Sequence, residues 1–200
     1  MIPTLTAQQI SFFAKNGFLE LEELLTAAEW TALASTLSHH NPPSRDLWRS
    51  APSLQTFLLS RKLTTLLFSL TAKPSLRLAC DHYFPADFCL AKPTPLKDLF
   101  SIQGLVCALL FSLGPIHRPE KTAPLGMLPF PHIPGNALFV QPQLLLNWPP
   151  AGAPLYIAAY AISDSVYIHN PNDPAGTSLK QLGYGYGDRL RNETHPILKR

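Results

Sequence analysis

The chain has 200 residues, of which 46% are hydrophobic and 14% are charged. This length and composition allow one sizeable core and exclude two ordinary domains, so we expect a single domain over residues 1–200. The net charge of +3 comes from dispersed basic residues, with no stripe that could follow a phosphate backbone. The composition therefore argues against nucleic acid as a partner.

Cysteine usage and the start of the chain predict a cytoplasmic protein. The three cysteines, Cys80, Cys89 and Cys107, form an odd set without the spacing of a metal site. The first residues lack the basic start and continuous apolar middle of a signal peptide. The uncharged run at residues 99–116 predicts a buried strand, because its apolar core is too short to cross a bilayer. We therefore expect no membrane association.

The first part of the chain predicts helices with clear N-terminal caps. Thr6 and Thr26 are each followed three residues later by Gln or Glu, which is the capping-box pattern. The first helix is predicted to end at Gly17, and a short strand within residues 18–25 precedes the second. Helical spacing of apolar residues resumes at residues 53–70 and predicts a third helix.

From residue 73 onward, short apolar runs separated by prolines predict strands. These runs are residues 76–80, 101–113, 137–140, 155–162 and 166–169. Residues 122–163 contain no Lys, Arg, Asp or Glu, which argues against a solvent-facing helix there. A short helix is predicted at residues 177–182. The fold class is therefore predicted as α+β, with an antiparallel β core behind a layer of N-terminal helices.

The opening segment and a Pro-Gly turn carry a resemblance to a known family. Residues 5–21 and 24–30 give a helix ending at Gly, a strand and a second capped helix, and Pro134-Gly-Asn-Ala-Leu-Phe-Val precedes a leucine-rich turn. In these stretches the chain resembles the non-haem Fe(II), 2-oxoglutarate-dependent dioxygenases, particularly those like phytanoyl-CoA hydroxylase. The resemblance implies a double-stranded β-helix, or jelly roll, with the N-terminal helices packed on one sheet.

The resemblance also implies iron ligands that this sequence replaces. Enzymes of that family hold iron with a His-x-Asp/Glu pair and a distal His. None of the seven histidines here is followed two residues later by a carboxylate. Alignment places Ser101 and Gln103 at the pair and Asn147 at the distal position, and no Lys or Arg lies between Asn147 and Lys180 to hold an oxoacid. We therefore expect degenerate metal positions and no cofactor.

An alternative set of metal ligands stays open, and it is drawn from Asp81, His82, His117 and His132. These residues would bind Fe(II) together with 2-oxoglutarate. As neighbours on a strand, Asp81 and His82 are expected to point to opposite faces. Trp148 and Tyr156 are predicted to line the pocket, although Trp148 fits a plug at the core edge equally well.

These observations predict a dioxygenase-like pseudoenzyme that binds a small molecule or a protein partner through the cavity of the fold. The main alternative is an active Fe(II)/2-oxoglutarate oxygenase with displaced ligands. A third hypothesis is a divalent-metal-responsive regulator that binds nucleic acid, with histidines as sensor ligands and the basic C-terminus for phosphates. It needs a recognition element, and the predicted helices contain only one adjacent basic pair, Arg61 and Lys62.

Overall fold

A computed structural model describes residues 4–40, 44–88, 90, 92–114, 130–131, 133–146 and 154–199. The helices are α1 (Ala7–Asn16), α2 (Ala27–Ser38), α3 (Pro52–Leu58), α4 (Arg61–Thr71) and α5 (Ser178–Gln181). The strands are β1 (Phe18–Leu21), β2 (Ser44–Arg45), β3 (Leu76–Phe84), β4 (Thr94–Pro95), β5 (Ile102–Ser112), β6 (Ala137–Val140), β7 (Leu145–Leu146) and β8 (Leu155–Tyr167). Among the described residues, no helix has the length and apolar character needed to span a membrane.

The first two helices begin where the sequence predicts, and the first also ends there. The hydroxyl groups of Thr6 and Thr26 accept hydrogen bonds from the backbone N–H of Gln9 and Glu29, whose side chains accept from the threonine N–H groups in return. These reciprocal bonds satisfy donors that a helix N-terminus leaves free. Helix α1 ends at Gly17, which adopts the left-handed backbone conformation common at helix C-termini.

The prediction of one helix over residues 53–70 is wrong, because two helices occupy this segment. Helix α3 ends at Leu58 and helix α4 begins at Arg61. Between them, the Ser60 hydroxyl accepts a hydrogen bond from the Leu63 N–H and caps α4. A serine within a helical apolar pattern thus starts a new helix, since its side chain competes for backbone donors.

The strands form a six-stranded antiparallel sheet in the order β1-β6-β5-β8-β3-β2, and β4 pairs with β7 in a separate two-stranded sheet. The predicted runs at residues 155–162 and 166–169 belong to one strand, β8, except for the last two residues. Strand β8 stays continuous because it pairs with β3 on one side and β5 on the other. Strand β3 likewise extends past the predicted run to Phe84.

The large sheet has two buried sides. The helix side carries Leu109, Phe139 and Tyr160, which pack in one hydrophobic cluster with α1 to α4. The inner side carries residues such as Leu110 and Ile157, and it packs in a second cluster that includes Leu96, Phe100 and Leu146 near the two-stranded sheet. Alternation along each strand assigns neighbouring residues to opposite sides, so each side must be considered separately as a place for a site.

The Pro-Gly turn before β6 is held against the connection between β1 and α2. Gly135 adopts a positive φ of 88°, and its carbonyl accepts a 3.0 Å hydrogen bond from the Leu25 N–H. A Cβ atom at Gly135 would lie 2.6 Å from the Leu25 oxygen. The neighbouring Asn136 side chain accepts from the Glu23 N–H and donates to the Glu20 carboxylate. The turn therefore requires glycine for its conformation and for the close approach of two backbones.

We expect Gly135→Ala to lower the free energy of unfolding by at least about 2 kcal/mol, because strain at positive φ is added to a backbone clash. Urea unfolding followed by circular dichroism measures this loss. Gly187→Ala is the matched control, since Gly187 has a φ of 90° but no described atom within 4 Å of the point that a Cβ would occupy. Equal losses for the two variants would contradict the role of the Leu25 contact.

Candidate functional site

A buried ion pair joins the edge strand β2 to the loop after β8. Arg45 Nη1 donates to both carboxylate oxygens of Asp173 at 2.9 and 2.7 Å, and the two side chains are 3% and 0% exposed. Asp173 also accepts from the N–H groups of Ser101 and Ala175. Burial opposes the ionised carboxylate, but the charge of Arg45 and these hydrogen bonds hold the pKa of Asp173 below its usual value. The carboxylate is therefore charged and fully used in holding the chain together.

A second buried carboxyl group, that of Asp81, lies on the helix side of β3. Asp81 accepts hydrogen bonds from the N–H groups of Leu47 and Trp48 at 2.7 and 2.9 Å, and from the Tyr156 hydroxyl at 2.5 Å. Burial raises its pKa to about 7, against the lowering effect of these bonds. Asp81 thus holds the 3₁₀ turn at Leu47–Arg49 against the sheet.

The next residue, His82, lies on the inner side of the sheet. Its ring centroid is 4.1 Å from that of Phe84 and 6.5 Å from that of Phe100, and only 1% of the residue is exposed. Neither ring nitrogen has a hydrogen-bond partner among the described residues. Burial, followed by the nearby charge of Arg45, lowers the pKa of His82 to about 3. His82 is therefore a neutral imidazole with one donor and one acceptor unused.

Arg45 is the charged neighbour of His82 on this side. The two residues are paired in the register of β2 and β3, which places their side chains on one face. The Arg45 guanidinium carbon lies 5.6 Å from the centre of the Phe100 ring. Arg45, Asp173, His82 and Ser101 thus form a polar group within a mostly apolar inner side, and we call it the inner polar cluster.

The described residues do not provide the donor set of an iron site. Within the described part of the chain, no three His, Cys, Asp or Glu side chains lie together in a way that could hold a metal ion. The inner side of β5, β6 and β8 presents buried apolar side chains, namely Ala108, Leu110, Leu138, Val140, Ile157 and Ala159. Fe(II) sites in proteins need imidazole and carboxylate ligands. The described residues therefore do not fit the Fe(II) and 2-oxoglutarate that the resemblance implies.

The structure separates the residues that the alignment places at the metal pair. Ser101 is buried, just before β5, and its N–H donates to Asp173. Gln103 lies within β5 and is exposed. The pair is therefore split between the interior and the surface. Asn147, the distal position, lies outside the described residues, so the degenerate metal set stays a prediction.

The other predicted site residues are placed as follows. Asp81 and His82 point to opposite sides of the sheet, as their adjacency on a strand predicts. Tyr156 is fully buried on the helix side, where its hydroxyl contacts Asp81. The remaining predicted residues lie outside the described residues; they are His117, His132 and Trp148. In the basic pair at the start of α4, the Lys62 ammonium donates to the Leu24 carbonyl and is thus used within the fold.

Sequence reasoning missed the ion pair at the centre of the inner polar cluster. Arg45 and Asp173 are separated by 128 residues, and both follow proline-rich or asparagine-rich loops without a motif. No local pattern connects them, because their partnership depends on sheet order. The sequence offers Asp46 as the adjacent partner of Arg45, and no signal in it would have pointed to Asp173.

The fold is similar to that of solved non-heme α-ketoglutarate-dependent enzymes. For the carbocyclase SnoK from nogalamycin biosynthesis, the TM-score is 0.72 at 13% identity, covering 98% of this chain and 97% of that chain. For the epimerase SnoN from the same biosynthesis, it is 0.66 at 15% identity, covering 96% and 95%. HygX from Streptomyces hygroscopicus, with nickel and 2-oxoglutarate bound, gives 0.60 at 17% identity, covering 95% and 99%.

These identities are too low to carry an activity from one chain to the other, so the likeness concerns the fold. No family model and no curated protein matches the sequence. Function must therefore be argued from the side chains of this chain.

We expect Asp173→Asn to lower the free energy of unfolding by about 3–5 kcal/mol, because it removes the hydrogen-bonded counter-charge of the buried Arg45. The matched control is Asp164→Asn, which breaks the exposed pair of Asp164 and Arg189 at 3.8 Å. That change should cost less than about 1 kcal/mol. Urea unfolding of both variants measures the difference, and similar small losses would show that Arg45 finds another partner or reaches water.

We expect His82→Phe to reduce the loss of stability on acidification. Because the pKa of His82 in the folded protein is about 3, at pH 5 this residue is neutral in the folded protein and protonated in the unfolded chain. The proton taken up on unfolding lowers the free energy of unfolding as the pH falls below about 6.5, the pKa of an unfolded histidine. His195 acts in the same direction, whereas Asp81, with its raised pKa, opposes it below about pH 7.

His195 and Asp81 are present in both the wild type and the His82→Phe variant, so their effects cancel in the comparison. Between pH 7.5 and pH 5, the variant should lose about 2 kcal/mol less than the wild type, since each unit of pKa difference corresponds to about 1.4 kcal/mol. Urea unfolding at the two pH values gives this difference. If the wild type and the variant had the same pH dependence, His82 would be protonated at pH 5 in the folded protein as it is in the unfolded chain.

Proposed function

We propose that this chain is a degenerate member of the phytanoyl-CoA hydroxylase-like, jelly-roll dioxygenases, and that it binds a small molecule or a protein partner without iron chemistry. The similarity to SnoK over 98% of the chain supports the architecture. The absence of a conventional ligand pattern supports the loss of chemistry, since no histidine is followed two residues later by a carboxylate. The fold would then be retained as a binding scaffold.

The observation that carries the proposal is the chemistry of the inner side. An iron oxygenase needs carboxylate and imidazole groups that point at one ion. Here the buried Asp173 carboxylate is occupied by Arg45 and two backbone N–H groups. The Asp81 carboxyl is on the other side of the sheet and is occupied by Tyr156 and two backbone N–H groups. Neither can turn to a metal without leaving buried donors unpaired.

The test is a titration of the metal-free protein with Fe(II), in the absence of oxygen, with and without 2-oxoglutarate. HygX is the positive control, because it has been crystallised with iron and with nickel and 2-oxoglutarate. We expect no stoichiometric iron binding by this chain, and no succinate release in air. One equivalent of bound iron together with succinate release would overturn the proposal.

The second candidate is an active oxygenase with displaced ligands. The ring nitrogens of His82 favour it, because they have no partner in the part of the chain that the structure describes. A neutral imidazole with an unused nitrogen is a competent ligand for a divalent metal. His82 would then be one ligand, and His117 and His132 would be the remaining candidates. In that case His82→Ala would abolish both iron binding and succinate release, whereas under the main proposal it would change neither.

A further inference from the structure

Three buried side chains of the inner polar cluster carry polar atoms that have no partner within the described part of the chain. These atoms are Nε and Nη2 of Arg45, both ring nitrogens of His82, and Oγ of Ser101. The Arg45 side chain is 3% exposed, and His82 and Ser101 are 1% and 2% exposed. The Arg45 guanidinium and the Ser101 backbone N–H both bind Asp173. Arg45 and His82 are partners in the strand register, and both lie near the ring of Phe100, the residue before Ser101.

Such a group of unpartnered, buried polar atoms lowers the stability of the folded protein. An unpartnered buried donor or acceptor destabilises a protein by about 1–3 kcal/mol, and folded proteins keep very few of them. Replacing His82 by an apolar residue would remove the cost, because Phe84 and Phe100 already line this position. Unpartnered polar atoms on β2, on β3 and on the residue just before β5, near or next to Phe100, therefore indicate an occupant that supplies their hydrogen bonds.

The charge balance indicates that this occupant is neutral. The charge of Arg45 is already matched by Asp173 through two hydrogen bonds. His82 is uncharged at neutral pH. Burial raises the pKa of the inner-side Cys80 thiol against the lowering effect of the Arg45 charge, and the carboxylates of Asp46, Asp173 and Asp81 raise it further. An additional buried anion would have no counter-charge and would carry a large desolvation penalty.

The arrangement of donors and acceptors further narrows the class of ligand. The Nε–H and Nη2–H groups of Arg45 form the parallel edge of the guanidinium, which suits two acceptor positions in one plane. His82 offers one donor and one acceptor, and the Ser101 hydroxyl offers both. The rings of Phe84 and Phe100 beside His82 favour a flat molecule. A planar group with a carbonyl acceptor and an N–H donor satisfies these requirements.

We propose that Arg45, His82 and Ser101 bind a small neutral molecule through a planar carboxamide-type group. This inference deepens the proposed function and rests on it, because a chain that retained iron and 2-oxoglutarate would use this interior for them. Under this proposal the interior holds a neutral ligand, whereas 2-oxoglutarate is an anion.

The test uses acetamide and acetate, which have nearly the same shape and differ in charge. Metal-free wild-type protein labelled with ¹⁵N in its histidine and arginine side chains is titrated with each compound and followed by NMR. The His82→Phe variant identifies the His82 signals by their loss. We expect acetamide to shift the His82 ring signals and the Arg45 Nε signal saturably, and acetate to bind at least about tenfold more weakly.

His195 is the internal control. It is fully buried, and its ring nitrogens lie 3.0 Å from the Tyr184 hydroxyl and 3.4 Å from Arg49 Nη2, so acetamide should leave its signals in place. Equal shifts of His82 and His195, equal binding of acetate, or no saturable shift at His82 would each overturn the inference. These titrations contain no metal, so a failure of acetamide to bind would not change the outcome of the iron titration, which tests the proposed function separately.

Discussion

The inner side of this fold depends on the buried ion pair between Arg45 and Asp173. Taking two charges out of water costs several kcal/mol for each ion, and the attraction offsets this only with good geometry and further hydrogen bonds. Asp173 meets that condition by binding Arg45 and the backbone N–H groups of Ser101 and Ala175. The edge strand β2, the start of β5 and the loop after β8 must therefore come together. The same bonds withdraw the carboxylate from any role as a ligand.

Alternation along the strands determines the chemistry of the two sides. Asp81 and His82 are adjacent in sequence, yet Asp81 contacts Tyr156 on the helix side and His82 contacts Phe84 on the inner side. A carboxylate and an imidazole that look like a ligand pair in the sequence are thereby separated by the thickness of a sheet. The apolar surroundings of His82 then hold its imidazole neutral. A group of this kind suits hydrogen bonding to a ligand as well as coordination of a metal.

The likeness to SnoK, SnoN and HygX concerns the architecture. Within the described residues, no three His, Cys, Asp or Glu side chains lie together as an iron site requires. An iron site rests on a few ligands, so very few substitutions convert an oxygenase scaffold into a binding scaffold without disturbing its packing. In this chain the inner side of the central strands is filled with small and medium apolar residues, such as Ala108 and Ile157. Packing of this kind stabilises the fold independently of a metal.

Several of the local elements follow from short stretches of the sequence. The capping boxes at Thr6 and Thr26 and the glycine at position 17 fixed α1 and α2, because helix caps depend on residues within one turn. The apolar runs likewise located β5 and β6. The continuation of β8 through two apolar runs, and the pairing of Arg45 with Asp173 across 128 residues, appear only in the folded chain. Those features depend on sheet order and on the burial of charge, and neither is encoded in any short stretch of the chain.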